Sequence, residues 1–299
     1  MIKEIAAHYR DHTAIDLFHC SADLRSLDGV YLHGPDVTIL DGTAPHVVDP
    51  RLPGAVQQIV DLGTAWHLEP LILNRQQIKT HVDKIGGLYR TAYSWLAAAA
   101  CHRDLAQAQQ WPDSGQTIGH ADAALMVKEL PSMEKVTSCI DRQAFATAIT
   151  SDGLVSFLDD FLQLVPQKII LAGGNRGYNN TILEAVSRHL KLKGVPALRL
   201  HCALQPQYLE HIVIPGRVGI FSSHWPHSLT DSEATILGFE DKGRADPRTE
   251  DAIQEAVNLL QEARNTHLEL EKLYIPHVDF DVINRYRREI INTIESWWD

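Results

Sequence analysis

Residues 171–183, L-A-G-G-N-R-G-Y-N-N-T-I-L, place a glycine-rich turn between an apolar run and a helical pattern. Backbone N–H groups at such a helix start can hold a phosphate. Transferring that phosphate needs more: a lysine that reaches the β/γ-phosphates and a hydroxyl on Mg²⁺. Laid on GxxxxGK[ST] from Gly173, the last three positions are Tyr178, Asn179 and Asn180, and the hydroxyl of Thr181 falls one place later. Gly173, Gly174, Arg176, Gly177, Asn179, Asn180 and Thr181 are therefore the phosphate-side candidates. Arg176 brings positive charge without reproducing the lysine geometry, and the helix dipole adds about 0.3–1 kcal/mol for an anion.

A second candidate follows the apolar run VTIL, which ends in Asp41, Gly42, Thr43, Ala44, Pro45 and His46. A carboxylate at the C-terminal end of a buried parallel strand sits where open α/β sheets bind ligands, and where an Asp holds Mg²⁺ beside phosphates. A turn cap is the competing reading of Asp41. His46 follows a proline, as does His227; each is either a phosphate contact or a hydrogen-bonded histidine that fixes a turn.

These residues recur because the chain repeats itself. His19 and Cys20 fall on His201 and Cys202 at an offset of 182, as Leu27 falls on Leu209. One deleted residue later the offset is 181, placing Val37 on Val218, Ile39 on Ile220, and Pro45 and His46 on Pro226 and His227. Asp41 falls on Ser222, so the copy with the altered glycine loop also lacks the carboxylate. Asp28 falls on Glu210 or His211, depending on where the gap lies. His19, Cys20, His201 and Cys202 do not read as a zinc site, because adjacent strand residues point to opposite faces.

The elements that must position these residues read as α/β. Runs at 168–172, 197–202 and 218–222, with a helix at 180–192, are unbroken apolar strands joined by helix, the mark of a parallel sheet covered on both faces. The first copy shows strands at 15–20 and 37–40. Each copy ends in helices, the first with a weak point at Gly86 and Gly87. Ser151, Asp152 and Gly153 read as a tight turn. A final helix at 282–296 carries Trp297 and Trp298 at its end, and these are expected to dock it. The boundary between copies falls near 138–142.

Subtracting 182 places the counterpart of the second glycine loop at positions -9 to -1, and Met1 on Leu183. The first copy thus begins inside its own first unit, without strand or loop. Either Met1 is an internal start of a protein roughly 40 or more residues longer, or the unit was shortened; the unpaired edge left by a missing first strand favours the longer protein.

Lys and Arg number 27 against 38 Asp and Glu, a net charge of -11 that opposes nucleic-acid binding. The four cysteines show no CxxC spacing or disulfide framework. The opening MIKEIAAHYRDH is charged throughout, not a signal peptide, and no apolar run is long enough for a membrane span, so a cytoplasmic location is expected. Nothing in the sequence singles out a protein partner or an oligomeric state.

The segments FHCSADLRSLDGV, VTILDGTAPHVVDPRLPGAVQQIVDLG and FATAITSDGLVSFLD resemble a family of bacterial, mostly Firmicute, tandem P-loop ATPase-like proteins related to nucleotide kinases, of unknown physiological role. The resemblance spans essentially the whole chain. It implies an α/β protein of two tandem P-loop NTPase-like units, 1–140 and 141–299, with mostly parallel sheets flanked by helices, the first lacking its first strand and phosphate loop and the second degenerate. It further implies ATP and Mg²⁺ as ligands of a full-length parent, with Asp41 as the acidic metal residue, Thr43 beside it, His46 in its APH turn and the 173–181 segment as the second phosphate loop. ATP chemistry is expected only with the upstream loop of unit one restored. The alternative is a catalytically inactive scaffold or regulatory binding module.

Overall fold

The computed structural model describes residues 1–43, 47–110, 141–172, 176–227, 229, 232–238 and 246–298. His46, Gly173 and Gly174 lie outside these residues, as does most of the expected boundary near 138–142. Two compact units are formed, Met1–Arg90 with Leu259–Asp299, and Thr91–Asn258. The divisions fall inside two long helices, so the units are not consecutive halves of the chain.

Unit 1 opens with α1 (Ile2–Tyr9), followed by β1 (Ile15–His19), β2 (Leu27–Leu32) and β3 (Val37–Leu40). These strands form an antiparallel meander in the order β1-β2-β3. The parallel arrangement expected for the first copy is therefore replaced. Residues 27–32, to which the sequence assigns no element, form a central strand that reverses the chain between the two expected strands. Short α2 (Leu68–Leu73) and long α3 (Arg75–Gln110) follow. Helix α3 runs unbroken through Gly86 and Gly87: the roughly 1 kcal/mol each glycine costs against Ala is carried by the strong helix formers around them.

Unit 2 contains β4 (Arg142–Phe145), the hairpin β5 (Thr147–Thr150) and β6 (Gly153–Ser156), α4 (Leu158–Gln163), β7 (Gln167–Ala172), α5 (Arg176–Leu192), β8 (Leu198–His201), β9 (Leu209–Ile214), β10 (Val218–Ser223) and β11 (Thr235–Gly238). Ser151 and Asp152 make the hairpin turn, with Gly153 at φ 96°. The six-stranded sheet has the order β11-β7-β10-β9-β8-β4, and β9 alone runs antiparallel to its neighbours. Helix α5 presents Ile182, Leu183, Val186 and Leu190 from one face to Ile169, Leu171, Ile212, Ile214 and Ile220. The opposite sheet face packs Leu200, Val213 and Phe221 against Ala146, Leu158 and Val165.

Helices α6 (Pro247–Tyr274) and α7 (Phe280–Trp298) close the chain. Within unit 1, α7 and α1 pack on the meander through Ile294, Ile5, Ala6 and Tyr9 against Val30 and Leu32. No described helix is long and apolar enough to cross a membrane.

The repeat extends to register. β1–β2–β3 corresponds to β8–β9–β10, and the missing residue falls in the turn before the third strand, built on Asp36 at φ 55° in one copy and Gly216 at φ 72° in the other. Asp28 is thereby the counterpart of Glu210, Gly29 of His211 and Asp41 of Ser222. The shared His-Cys pair is structural: His19 Nδ1 donates to the Leu24 carbonyl and His201 Nδ1 to the Pro206 carbonyl, both at 2.8 Å. Cys20 N–H and Cys202 N–H meet the carbonyls of Ser26 and Tyr208, both at 3.0 Å.

Candidate functional site

The expected phosphate side lies where β7 ends and α5 begins. Ala172 pairs with Ser223 of the parallel strand β10, and α5 starts at Arg176. Arg176 and Asn179 turn inward there, whereas Thr181 stays exposed. Arg176 is 2% exposed; its guanidinium donates to Asp104 Oδ1 at 2.7 Å and to Gln205 Oε1, and lies 3.9 Å over the Tyr208 ring. Asn179 is buried. Asn180 Oδ1 accepts the first amide of β9, from Leu209, at 2.7 Å, and the Thr181 hydroxyl donates to the Gly177 carbonyl at 2.9 Å. The cation of Arg176 and the side-chain amide of Asn180 thus tie the helix to its own unit, while the Thr181 hydroxyl is engaged within the helix itself.

In unit 1, Asp41 follows β3 and behaves as a turn residue. Its Oδ1 accepts the Thr43 amide at 2.9 Å and the Thr43 hydroxyl at 2.7 Å, while its own N–H donates to the Asp28 carbonyl at 2.7 Å. Asp41 and Thr43 are therefore neighbours, as the sequence places them, with the hydroxyl directed at the carboxylate.

A more enclosed constellation surrounds Glu210, His211 and His227. Among the described residues these three bring one carboxylate oxygen and two imidazole nitrogens within 4.8 Å of one another. A β-bulge makes this possible. His201 pairs with Leu209 and Leu200 with His211, so Glu210 is the extra residue on β9, re-aimed out of the strand's alternation. Asp28 is the extra residue in unit 1, where His19 pairs with Leu27 and Phe18 with Gly29. The third member arrives through the turn after β10, in which His227 N–H meets the His224 carbonyl at 2.5 Å across a cis Trp225-Pro226 peptide.

His227 Nε2 lies 3.1 Å from Glu210 Oε2, and both residues are nearly enclosed, at 5% and 1% exposure. The Ser222 amide donates to His211 Nδ1 at 3.2 Å, which puts the proton of a neutral ring on Nε2. His224 Nδ1 donates to the Trp225 carbonyl at 2.9 Å, leaving its Nε2 lone pair inside. Burial pushes the His211 pKa down to about 3 and lowers that of His224. Burial alone would raise the Glu210 carboxyl, but the His227 hydrogen bond and the surrounding imidazoles hold it well below the usual carboxylate range. Burial pushes the Cys202 thiol up, although Arg103 donates to its sulfur at 3.0 Å. A cavity of about 10 Å³, room for one water, is bordered by Glu210, Cys202, Arg103 and Trp225.

The sequence signals for this cluster were the repeated Pro-His pair and the repeated acid at 28 and 210. Its unread member was the bulge, which lets neighbouring Glu210 and His211 converge. No family model, curated protein or solved structure matches the chain.

Proposed function

We propose that this chain is a P-loop NTPase-like nucleotide-binding protein whose second unit holds the phosphate end of a nucleotide without transferring it. The observation that carries this reading is the course of β7, which lies between parallel neighbours β10 and β11 and leads through three residues into the N-terminus of α5. Ligands of open α/β sheets bind at such carboxyl strand ends, and helix N–H groups favour anions. Against transfer stand the absence of a lysine at 178–180 and the engagement of Asn180 and Thr181 within the unit. Mg²⁺ and ATP hydrolysis belong, in this reading, to a polypeptide in which unit 1 has a lysine-bearing loop, with Asp41 as the metal carboxylate. Without such a loop the protein acts as a binding module or scaffold.

Titration of residues 1–299 with a fluorescent ATP analogue, competed with pyrophosphate, tests the reading. Two charge-assisted backbone hydrogen bonds at about 1.5 kcal/mol each, with about 1 kcal/mol from the helix dipole, come to about 4 kcal/mol, a dissociation constant on the order of 1 mM that EDTA should change little, with no ATP turnover above a protein-free blank. Gly177→Asp, which sets a negative charge in the first turn of α5, should abolish binding while the circular dichroism spectrum is kept. No binding at about 10 mM ligand, or equal binding by that variant, would remove the phosphate site from unit 2.

A further inference from the structure

Four buried polar atoms around the bulge have no hydrogen-bond partner among the described residues: Glu210 Oε1, His211 Nε2, His224 Nε2 and Ser222 Oγ. Buried polar atoms are nearly always paired, and a carboxylate is the costliest to leave half-satisfied. We infer that Glu210, His211 and His227 of this cluster hold a divalent transition-metal ion of the zinc class. The inference is independent of the nucleotide reading, since it uses none of the residues at the start of α5.

The donor set selects the metal. Two imidazoles and one carboxylate within 4.8 Å suit Zn²⁺ and its first-row neighbours, whereas Mg²⁺ and Ca²⁺ take oxygen donors. The ring centroids of His211 and His227 are 5.0 Å apart and nearly perpendicular, at 69°, so both rings can present nitrogen to one centre. Three protein ligands leave a fourth position, which such sites keep for a water.

Two contacts must change on binding: His227 Nε2, which donates to Glu210 Oε2 at 3.1 Å, gives up that hydrogen bond and passes to the Nδ1–H form to offer the ion a lone pair, and His211 changes tautomer as well. His211 Nδ1 accepts the Ser222 amide, so its Nε2 carries the proton; coordination through Nε2 moves that proton to Nδ1. The partnerless Ser222 hydroxyl, on the same residue as the displaced amide, then accepts it, giving the outer hydrogen bond typical of a metal-bound histidine. Two hydrogen bonds, of 3.2 and 3.1 Å, are exchanged for three metal bonds and the Ser222 amide is released, while Glu210 Oε1 and His211 Nε2 gain partners together.

The test begins with chelator-stripped full chain titrated with Zn²⁺, and with Co²⁺ as a spectroscopic substitute. One ion per chain at micromolar or lower dissociation constant is expected, with a visible Co²⁺ band of tetrahedral intensity. Glu210→Gln and His227→Gln should each weaken binding about 100-fold or more, Ser222→Ala about 10-fold, and His267→Gln, an exposed control, not at all. Because the core variants can lose the fold, the wild-type chain supplies a second readout: nitrogen NMR should show His211 switching from the Nε2–H to the Nδ1–H form as Zn²⁺ is added. Substoichiometric metal at micromolar concentration, an unmoved His211 tautomer, or unaltered affinity in folded Glu210→Gln would each overturn the inference.

Discussion

At the scale of single residues, the decisive position is the extra residue of the bulge. Glu210 in unit 2 and Asp28 in unit 1 both interrupt strand alternation one step after the His-locked loop. Enclosure of the unit 2 acid among imidazoles has a consequence for the metal-free protein. His211 stays neutral in the fold down to about pH 3, whereas the unfolded chain takes up that proton near pH 6.5. The unfolded state thus binds more protons as pH falls through this window, and stability declines with it. Glu210, ionised in the fold below its usual range, adds a loss in the same direction once pH drops below its ordinary value of 4.5. Each group contributes a slope of at most about 1.4 kcal/mol per pH unit. Urea midpoints in EDTA should fall from about pH 7.5 to 6 and again to 5, and His211→Gln should flatten that decline. An equal slope in the variant would show that another group governs it.

At the scale of elements, Asn180 and Gly34 test which contacts join helix to sheet. Asn180 occupies the hydroxyl position of the phosphate-loop pattern, yet its side chain takes the Leu209 amide at 2.7 Å and so pins α5 to the start of β9. Asn180→Ala should cost about 1–3 kcal/mol by leaving that amide unpaired, measurable as a lowered urea midpoint. Unchanged stability with weakened nucleotide binding would return Asn180 to the ligand side. Gly34 lies under the end of α7: a Cβ there would come within 2.5 Å of the Trp298 ring and 2.9 Å of Thr13 Oγ1. Gly34→Ala should therefore destabilise by about 1–3 kcal/mol and alter tryptophan fluorescence. In a Trp298→Ala background most of that cost should vanish, a coupling that a double-mutant cycle reads directly; simple additivity would deny the contact.

At the scale of the molecule, the duplication itself could be read from His19-Cys20, Leu27, Val37 and Pro45-His46, because those anchors keep both identity and spacing. The central strand was hidden. LDGVYL and LEHIVI each contain the bulge residue, which breaks the period-two pattern that announces a strand. The same bulge hid the cluster, since alternation assigns Glu210 and His211 to opposite faces. Pairing context was likewise beyond the pattern: VTIL and VGIF read alike, but β10 has β9 on one side and β7 on the other, whereas β3 pairs only with β2 among the described residues. Leu40 is accordingly 52% exposed where its counterpart Phe221 is 0%. Local stability follows enclosure and double-sided pairing, so the two copies of one sheet should open at different free energies. In native-state hydrogen exchange, amides of 209–223 should exchange about 100-fold more slowly than those of 27–40, a difference of about 2.7 kcal/mol. Glycines and turns contribute fast sites to both segments, so the comparison belongs to matched strand positions, such as Ile39 with Ile220 and Val30 with Ile212. Equal protection at those pairs would mean that β3 has a second neighbour in solution, and that the difference between the two sheets is not one of edge pairing.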